Sequence, residues 1–435
     1  MHKSIEIENL YGEEIDSIIY EFIDILMDIE YIEKNMEEQS PSDSLLDISS
    51  ILLVLSKCDG YLSEDNLEAA IYKYMKILNK NINNVIYKPG LYGGLSTVAF
   101  SVYMVSKKYP YYEKSLKRLN EIIVEITYKL IEDIENRDSL TMDDYDIISG
   151  TSGIAIYLSL FKDEYITKCI MRINEYLVSI IKEKEVYGEL VPGMHITSEN
   201  QYLDEDKEFY KKGNFNLSLA HGMCSPLVAL SISYELGIIV DKQRESIEYI
   251  LDILDKFKIE NEESMSWIGM ISFEEFTNFN SSLYEFQPRA SWCYGTPGIA
   301  RSIYLASRAI NDNSKLEISK KAFNYLCKSE GIDKWQLTSP TICHGFSGMI
   351  AILKLMLIDE KNDMYLSPLK SAIESTIAFY DSQNKYLFKN IEDYGDRIEH
   401  EDKLDFLVGT SGVILSLLFV RKSEVKDVFR LIGLI

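Results

Sequence analysis

The chain reads as an all-α protein in which an inner ring of helices is wrapped by an outer ring. Three observations predict this class. A glycine pair recurs, as Gly90-Leu91-Tyr92-Gly93, Gly150-Thr151-Ser152-Gly153, Gly295-Thr296-Pro297-Gly298, Gly345-Phe346-Ser347-Gly348 and Gly409-Thr410-Ser411-Gly412. A short, nearly all-apolar stretch follows each pair, and a helix apolar all round must be buried on all sides. Between these lie amphipathic stretches with one apolar stripe, as a surface helix requires.

Residues 1–89 carry an apolar stripe at Ile15, Ile18, Ile19, Phe22 and Ile25 but no Gly-x-x-Gly, so any repeat there is degenerate. Outer stripes follow at Leu116, Leu119, Ile122, Ile126 and Leu130, and at Ile247, Ile250, Leu251, Leu254 and Phe257. Inner helices are expected over 154–160, 227–232, 299–306, 349–357 and 413–420. His221-Gly222-Met223-Cys224-Ser225 fills the gap in the glycine series, with Ser225 in place of a second glycine. First glycines lie 50 residues apart at the closest, Gly295 to Gly345, and 73 at the widest, Gly222 to Gly295. That is room for two helices per repeat. The glycines mark the passage from outer to inner helix, where positive φ and close backbone approach are expected. One repeat domain is expected over 1–435. Segments 183–213 and 260–288 are polar and weakly periodic, and are expected to form loops or a small appended β element. Within them 186–191 and 267–271 read as short strands.

The 435 residues are 46% hydrophobic and 26% charged, enough for a large core. The net charge of -24 lacks the basic footprint that nucleic acid or an anionic membrane surface requires. Six cysteines without a C-x-x-C motif fit a reducing compartment. The N-terminal residues show no apolar core of a signal peptide. Apolar stretches such as 413–420 are far shorter than the roughly 20 residues that span a bilayer.

The chemistry concentrates in Trp292-Cys293-Tyr294-Gly295 and Cys343-His344-Gly345. Two thiolates and an imidazole are a natural zinc shell with one position open. A lone cysteine is usually a small buried hydrophobe, which is the reading for Cys58, Cys169, Cys224 and Cys327. Cys293 and Cys343 differ because both occupy one slot of a repeated element. Two thiolates and a neutral imidazole cancel the dication, so a substrate thiolate would make the centre negative and stay nucleophilic. Such a centre suits thiol activation better than water activation. His221 occupies the corresponding slot of its own repeat, as a fourth ligand or a general acid/base. Asp146, four residues before Gly150, is a partner for His221 or a loop cap. Arg289 is a candidate oxyanion stabiliser, and Tyr294 a hydrogen-bond donor or a packed aromatic. His2, His195 and His400 read as loop or surface residues.

These words together resemble the LanC family of lanthipeptide cyclases. The match rests on Tyr145-Asp146-Ile147-Ile148-Ser149-Gly150, Ala220-His221-Gly222, the run from Arg289 to Ala300, and Ser339-Pro340-Thr341-Ile342-Cys343-His344-Gly345. It runs from about Gly90 to Gly412. The resemblance implies an α/α toroid with zinc held by Cys293, Cys343 and His344. It also implies that Asp146, His221, Arg289 and Tyr294 line the reaction centre. The implied substrate is a precursor peptide, leader plus core, dehydrated at Ser and Thr. A peptide cysteine, bound to zinc as thiolate, would add to dehydroalanine or dehydrobutyrine, and the enolate would be protonated to leave a thioether ring. A separate dehydratase and an exporter are the implied partners. The compartment is cytoplasmic, with any membrane association peripheral and through a biosynthetic complex. Two departures stand out: Ser225 in place of a glycine, and the long segments before His221 and Arg289. The latter could hold an SH2-like extension.

Two rival readings remain. One is a zinc enzyme that alkylates thiols in the manner of protein prenyltransferases, which also use an α/α toroid. The other is a non-catalytic LanC-like protein that binds zinc and a thiol such as glutathione, or a peptide.

Overall fold

A computed structural model describes residues 11–37, 39–82, 88–279, 289–328 and 332–435. They are mostly helical, and among them no helix is long and apolar enough to cross a membrane. They group into two compact units.

The first unit draws on Met1–Tyr87, Gly93–Leu119 and Glu330–Phe429. Its inner helices are Pro41–Leu55, Leu95–Ser106, Phe346–Glu360 and Thr410–Arg421, each buried almost all round. Amphipathic helices cover them: Glu64–Asn81 lies on Pro41–Leu55, Leu366–Ile377 on Phe346–Glu360, and Gly12–Met27 on Thr410–Arg421. The Gly12–Met27 stripe is Ile15, Ile18, Ile19, Phe22, Ile23 and Leu26, whereas Ile25 is half-buried. Asp47, on the inner helix Pro41–Leu55, is buried and accepts from Gln39 Nε2 at 3.1 Å. Burial, then the nearby Asp405 carboxylate, push its pKa up to about 7.

The second unit draws on Lys88–Tyr92, Asn120–Ser329 and Arg430–Ile435. Its inner helices Thr151–Leu158, Cys224–Glu235 and Thr296–Ile310 pack side by side. Glu164–Ile181, Gln243–Lys256 and Asn313–Lys328 lie outside them in the same order. Ile247, Ile250, Leu251, Leu254 and Phe257 are buried as expected. The helix Glu113–Glu135 begins in the first unit, where Leu116 and Leu119 are buried, and continues in the second, where the stripe turns to Ile123, Val124 and Thr127, leaving Ile122, Ile126 and Leu130 half-buried. The sequence pattern placed the stripe one residue off because both sets are apolar.

After the first repeat, each inner helix that follows a glycine pair starts at that pair. Gly150, Gly295, Gly345 and Gly409 are N-cap residues with extended backbone, φ between -92° and -126°. The expected positive φ occurs within the recurring pairs at Gly93 (+66°). Close approach is therefore the general reason for glycine. A methyl on Gly150, Gly222, Gly295, Gly345 or Gly409 would collide with the amide four residues earlier, that of Asp146, Ser218, Ser291, Thr341 or Asp405, or lie within 2.6 Å of it. A methyl on Gly153, Gly298 or Gly412 would collide with the carbonyl of Ile147, Trp292 or Phe406. The first repeat departs from this phase: Gly94, not Gly90, caps Leu95–Ser106.

The segments that break the helical pattern carry short antiparallel strands. Glu183–Val186 pairs with Glu189–Pro192, Asn214–Asn216 with Met270–Ser272, and Ile259–Glu260 with Met265–Ser266. The expected strand 186–191 is two strands rather than one: Val186 ends the first and Glu189 to Val191 belong to the second, with Tyr187 (φ 51°) and Gly188 (φ 82°) as the hairpin turn between them. The expected strand 267–271 is divided, since Trp267 to Gly269 link two strands of different pairs. Residues 280–288 and His2 lie outside the described residues. His195 is not a surface residue: it is 2% exposed, packed against Phe215 and Phe273, with Nε2 2.7 Å from the Lys212 carbonyl. His400 is exposed on a further pair, Asn390–Asp393 with Ile398–Glu401.

The Asp47 shift has a definite sign. Its folded pKa lies above the ordinary 3.8, so protonation stabilises the fold and that contribution fades as pH rises towards 7. Asp47→Asn should therefore flatten the pH dependence of stability between about 4 and 7. It should raise unfolding free energy at pH 8 by on the order of 3–4 kcal/mol, read by denaturant titration.

Candidate functional site

The loops that enter the inner helices share one construction. The residue four before the glycine is polar, and in four of these loops it caps the loop. Asp146 Oδ1 accepts from Ser149 and Gly150 amides, both at 2.7 Å, and Asp405 Oδ1 from Leu407 and Val408 at 2.8 and 2.9 Å. Ser218 and Ser291 do the same more weakly for His221 and Tyr294 amides, each at 3.4 Å. The carbonyl two residues before the glycine accepts from the preceding loop. Tyr92 donates to Ile148 (2.7 Å), Ile147 to Ala220 (3.4 Å), and Leu219 and Ala220 to Cys293 (3.1 and 3.2 Å). In the first unit, Ile342 and Cys343 donate to Leu407 (3.1 and 3.0 Å). The candidate reactive side chains occupy the two positions just before the glycine: His221, Cys293, Tyr294, Cys343 and His344.

In the second unit this construction brings Asp146, His221, Cys293 and Tyr294 together. Asp146 is fully buried, and its Oδ2 lies 2.5 Å from His221 Nδ1. The carboxylate thus does two jobs, one oxygen capping its loop and the other holding the imidazole. Burial pushes the Asp146 pKa up, while the imidazole and the two amides pull it down. Burial disfavours charge on His221, but Asp146, Asp143 and Cys293 outweigh it and raise the imidazole pKa. Two tyrosine rings lie beside that ring, Tyr294 with centroids 6.1 Å apart and Tyr202 edge-on at 5.4 Å. The Tyr202 hydroxyl donates to Asp143 at 2.7 Å and lies 3.4 Å from His221 Nδ1. A methyl on Gly269 would meet Tyr294 at 2.9 Å, so glycine makes room for the tyrosine ring. The Cys293 thiol is 6% exposed and faces Ser291 Oγ at 3.5 Å. Arg289 is half-buried at the start of the same loop, its carbonyl accepting from the Ser291 amide at 2.9 Å.

Cys343 and His344 belong to the first unit. Cys343 is half-buried and His344 buried, and His344 Nε2 lies 3.2 Å from Glu392 Oε1. The donor chemistry, two thiols and an imidazole on identically built loops, fits zinc. Among the described residues, the acidic and imidazole side chains of Asp143, Asp146 and His221 also lie close enough to suggest a metal. There His221 and Asp146 are already hydrogen-bonded to each other at 2.5 Å, and Tyr202 already donates to Asp143. We read this trio as proton-handling.

A sequence model described as lanthionine synthetase C-like protein matches residues 48–432. The chain belongs to that family. Among curated proteins it is similar to the nisin biosynthesis protein NisC of Lactococcus lactis subsp. lactis, 27% identical over 375 residues, covering 85% of this chain and 83% of NisC. Among solved structures it is similar to nisin cyclase, with a TM-score of 0.76 and 23% identity over 93% of this chain and 96% of the other. That likeness shows the α/α toroid fold.

For this lanthionine synthetase C-like chain, sequence reasoning missed Tyr202, Asp143 and Glu392. Tyr202 and Glu392 sit in segments with no repeat signal. Asp143 stood next to Asp144-Tyr145-Asp146 but was indistinguishable from a surface acid.

Asp146→Asn separates the two jobs of the carboxylate. Its remaining oxygen still caps the loop, but the charge that raises His221 is gone. The His221 pKa, followed by NMR of the ring protons, should fall below its wild-type value while the thermal unfolding midpoint changes little. An unchanged pKa would remove Asp146 as its cause.

Proposed function

We propose that the protein is a zinc-dependent lanthipeptide cyclase. The observation that carries this is the buried Asp146–His221 pair, on a loop hydrogen-bonded through Ala220 to the Cys293 carbonyl. Family membership and similarity to a nisin biosynthesis protein and a nisin cyclase support the same reading. The substrate would be a dehydrated precursor peptide, delivered by a separate dehydratase and passed on to an exporter.

Cys293, Cys343 and His344 would hold the zinc. When bound, the ion would lower the pKa of a peptide cysteine and keep it as thiolate at neutral pH. The thiolate sulfur adds to the β-carbon of dehydroalanine or dehydrobutyrine, forming the C–S bond. The π electrons move onto the adjoining carbonyl as an enolate. Arg289 steadies that negative charge, and Tyr294 donates a hydrogen bond to the same centre. One proton lost from the thiol is balanced by one gained at the α-carbon, so substrate and product are isomers. His221 supplies or relays that proton. Asp146 favours the imidazolium through its charge, and Tyr202 and Tyr294 restrict the ring's position.

Two measurements test this reading. Wild-type protein should carry about one zinc per chain, and Cys293→Ala and Cys343→Ala should each lose it. Retention by both variants would refute the ligand assignment. Because cyclisation leaves mass unchanged, activity is read by alkylating leftover thiols. Incubation with the enzyme should protect the cysteines of a dehydrated peptide, and His221→Ala should abolish protection.

A further inference from the structure

We propose that Asn200, Gln201 and Tyr202 form a brace that sets the geometry of the Asp146–His221 pair, with Asn200 and Tyr202 as positioning residues. Its consequence for catalysis rests on the cyclase reading above.

Asp146 and His221 come from different loops, so their alignment depends on how those loops are held together. The backbone bond between the loops, from the Ile147 amide to the Ala220 carbonyl, is long at 3.4 Å. The same amide also donates to Ser225 Oγ at 3.1 Å. Three consecutive side chains, from the segment before the strand Asn214–Asn216, add a second connection. Asn200 Nδ2 donates to the Leu140 carbonyl at 2.8 Å and to Ser139 Oγ at 2.9 Å. Gln201 is buried, its Oε1 accepting from Asn214 Nδ2 at 2.8 Å and its Nε2 donating to the Thr197 carbonyl at 3.0 Å. The Tyr202 hydroxyl donates to Asp143 Oδ1 at 2.7 Å, and its ring stands edge-on to His221.

These contacts end on the two segments that carry the pair. Asp143 lies in the single turn Met142–Asp144, and the Asp146 amide donates to the Met142 carbonyl at 3.1 Å. Holding Leu140 and Asp143 therefore holds Asp146. Asn214 opens the strand that leads to the His221 loop, and the loop closes back on that strand, the Met223 amide donating to the Asn216 carbonyl at 2.8 Å. Gln201 thus ties the brace to the His221 side, while Asn200 and Tyr202 tie it to the Asp146 side. Tyr202 and Asp143 are both exposed, so their hydrogen bond adds little to the core. Its effect is on alignment, where a misplacement of about 1 Å can cost about 10²-fold in rate.

The experiment uses full-length, zinc-loaded protein and compares wild type with Tyr202→Phe and Asn200→Ala. Tyr202→Phe keeps the ring and removes the hydroxyl, whereas Asn200→Ala removes the other tie to the Asp146 side. Ring closure is followed by thiol alkylation over a range of peptide concentrations, and the His221 ring protons by NMR. We expect kcat to fall about 10-fold in Tyr202→Phe, short of the loss for a full misplacement, with KM within about two-fold of wild type. The His221 ring signals should shift and broaden in both variants, and the thermal unfolding midpoint of Tyr202→Phe should move little. Unchanged kcat, or unchanged His221 signals, in Tyr202→Phe would overturn the inference. So would a rise in KM alone, which would make Tyr202 a peptide-binding residue. If Asn200→Ala fails to fold, Tyr202→Phe decides by itself. Wild-type protein that closes no rings would overturn the cyclase reading, and the brace would then stand or fall on the His221 signals.

Discussion

The inner helices after Gly150, Gly222, Gly295, Gly345 and Gly409 are each entered through a loop packed so tightly that its glycine rests on the peptide amide four residues back. That contact brings the end of the loop back over its own start. The carbonyl two residues before the glycine is then free to accept from a neighbouring loop, and the Ile148, Ala220, Cys293 and Leu407 carbonyls all do so. Backbone bonds of this kind cannot be retuned by side-chain substitution. The side chains just before the glycine can vary instead: His221, Cys293 with Tyr294, and Cys343 with His344. A rigid, repeated backbone carrying variable polar residues is the arrangement a reaction centre needs.

The position four before the glycine shows how function is laid over this construction. Asp146, Ser218, Ser291, Thr341 and Asp405 all occupy it; a loop-capping role explains four of them, whereas the Thr341 hydroxyl donates to Asn390. Asp405 and Asp146 cap with the same oxygen, Oδ1. Only Asp146 has its second oxygen on a histidine, at 2.5 Å. The cap and the histidine partner were weighed as alternatives from sequence, and the structure shows that one carboxylate does both. Ser225 makes a similar point. Where other repeats have glycine against a carbonyl, its hydroxyl donates to the Leu219 carbonyl at 2.6 Å and accepts from the Ile147 amide at 3.1 Å. A side chain is tolerated in that tight slot because it replaces the close contact with two hydrogen bonds.

What could be read from sequence follows from this physics. Inner helices were legible because a stretch such as 413–420 is apolar on every side and follows a glycine pair. The phase of the first repeat was not, because Gly90, Gly93 and Gly94 all satisfy the spacing and only the backbone selects Gly94 as the cap. The stripe on 116–130 was misplaced because adjacent isoleucines offer two equivalent faces. His221, Cys293, Cys343 and His344 drew notice as candidates because they fall one or two residues before a recurring glycine. Tyr202 and Glu392 have no such offset, and only folding brings them to a histidine.

Both histidine-bearing loops are reinforced from outside the helical repeat. Asn216, at the end of a short strand, accepts from the Ser218 amide at 2.9 Å, and the Leu217 amide donates to the Gly269 carbonyl at 2.7 Å. Asn390 does the equivalent for Ser339 and Thr341. A loop built from backbone contacts is stiff along its chain, but its side chains still need partners that the adjoining helices, apolar all round, cannot offer. The interrupting segments place polar groups at that point: Glu392 Oε1 3.2 Å from His344 Nε2, and Tyr202, from the segment before Asn214–Asn216, beside His221. The segments that interrupt the repeat are therefore the source of the polar surroundings of both imidazoles, and their weak periodicity follows from serving the loops rather than the core.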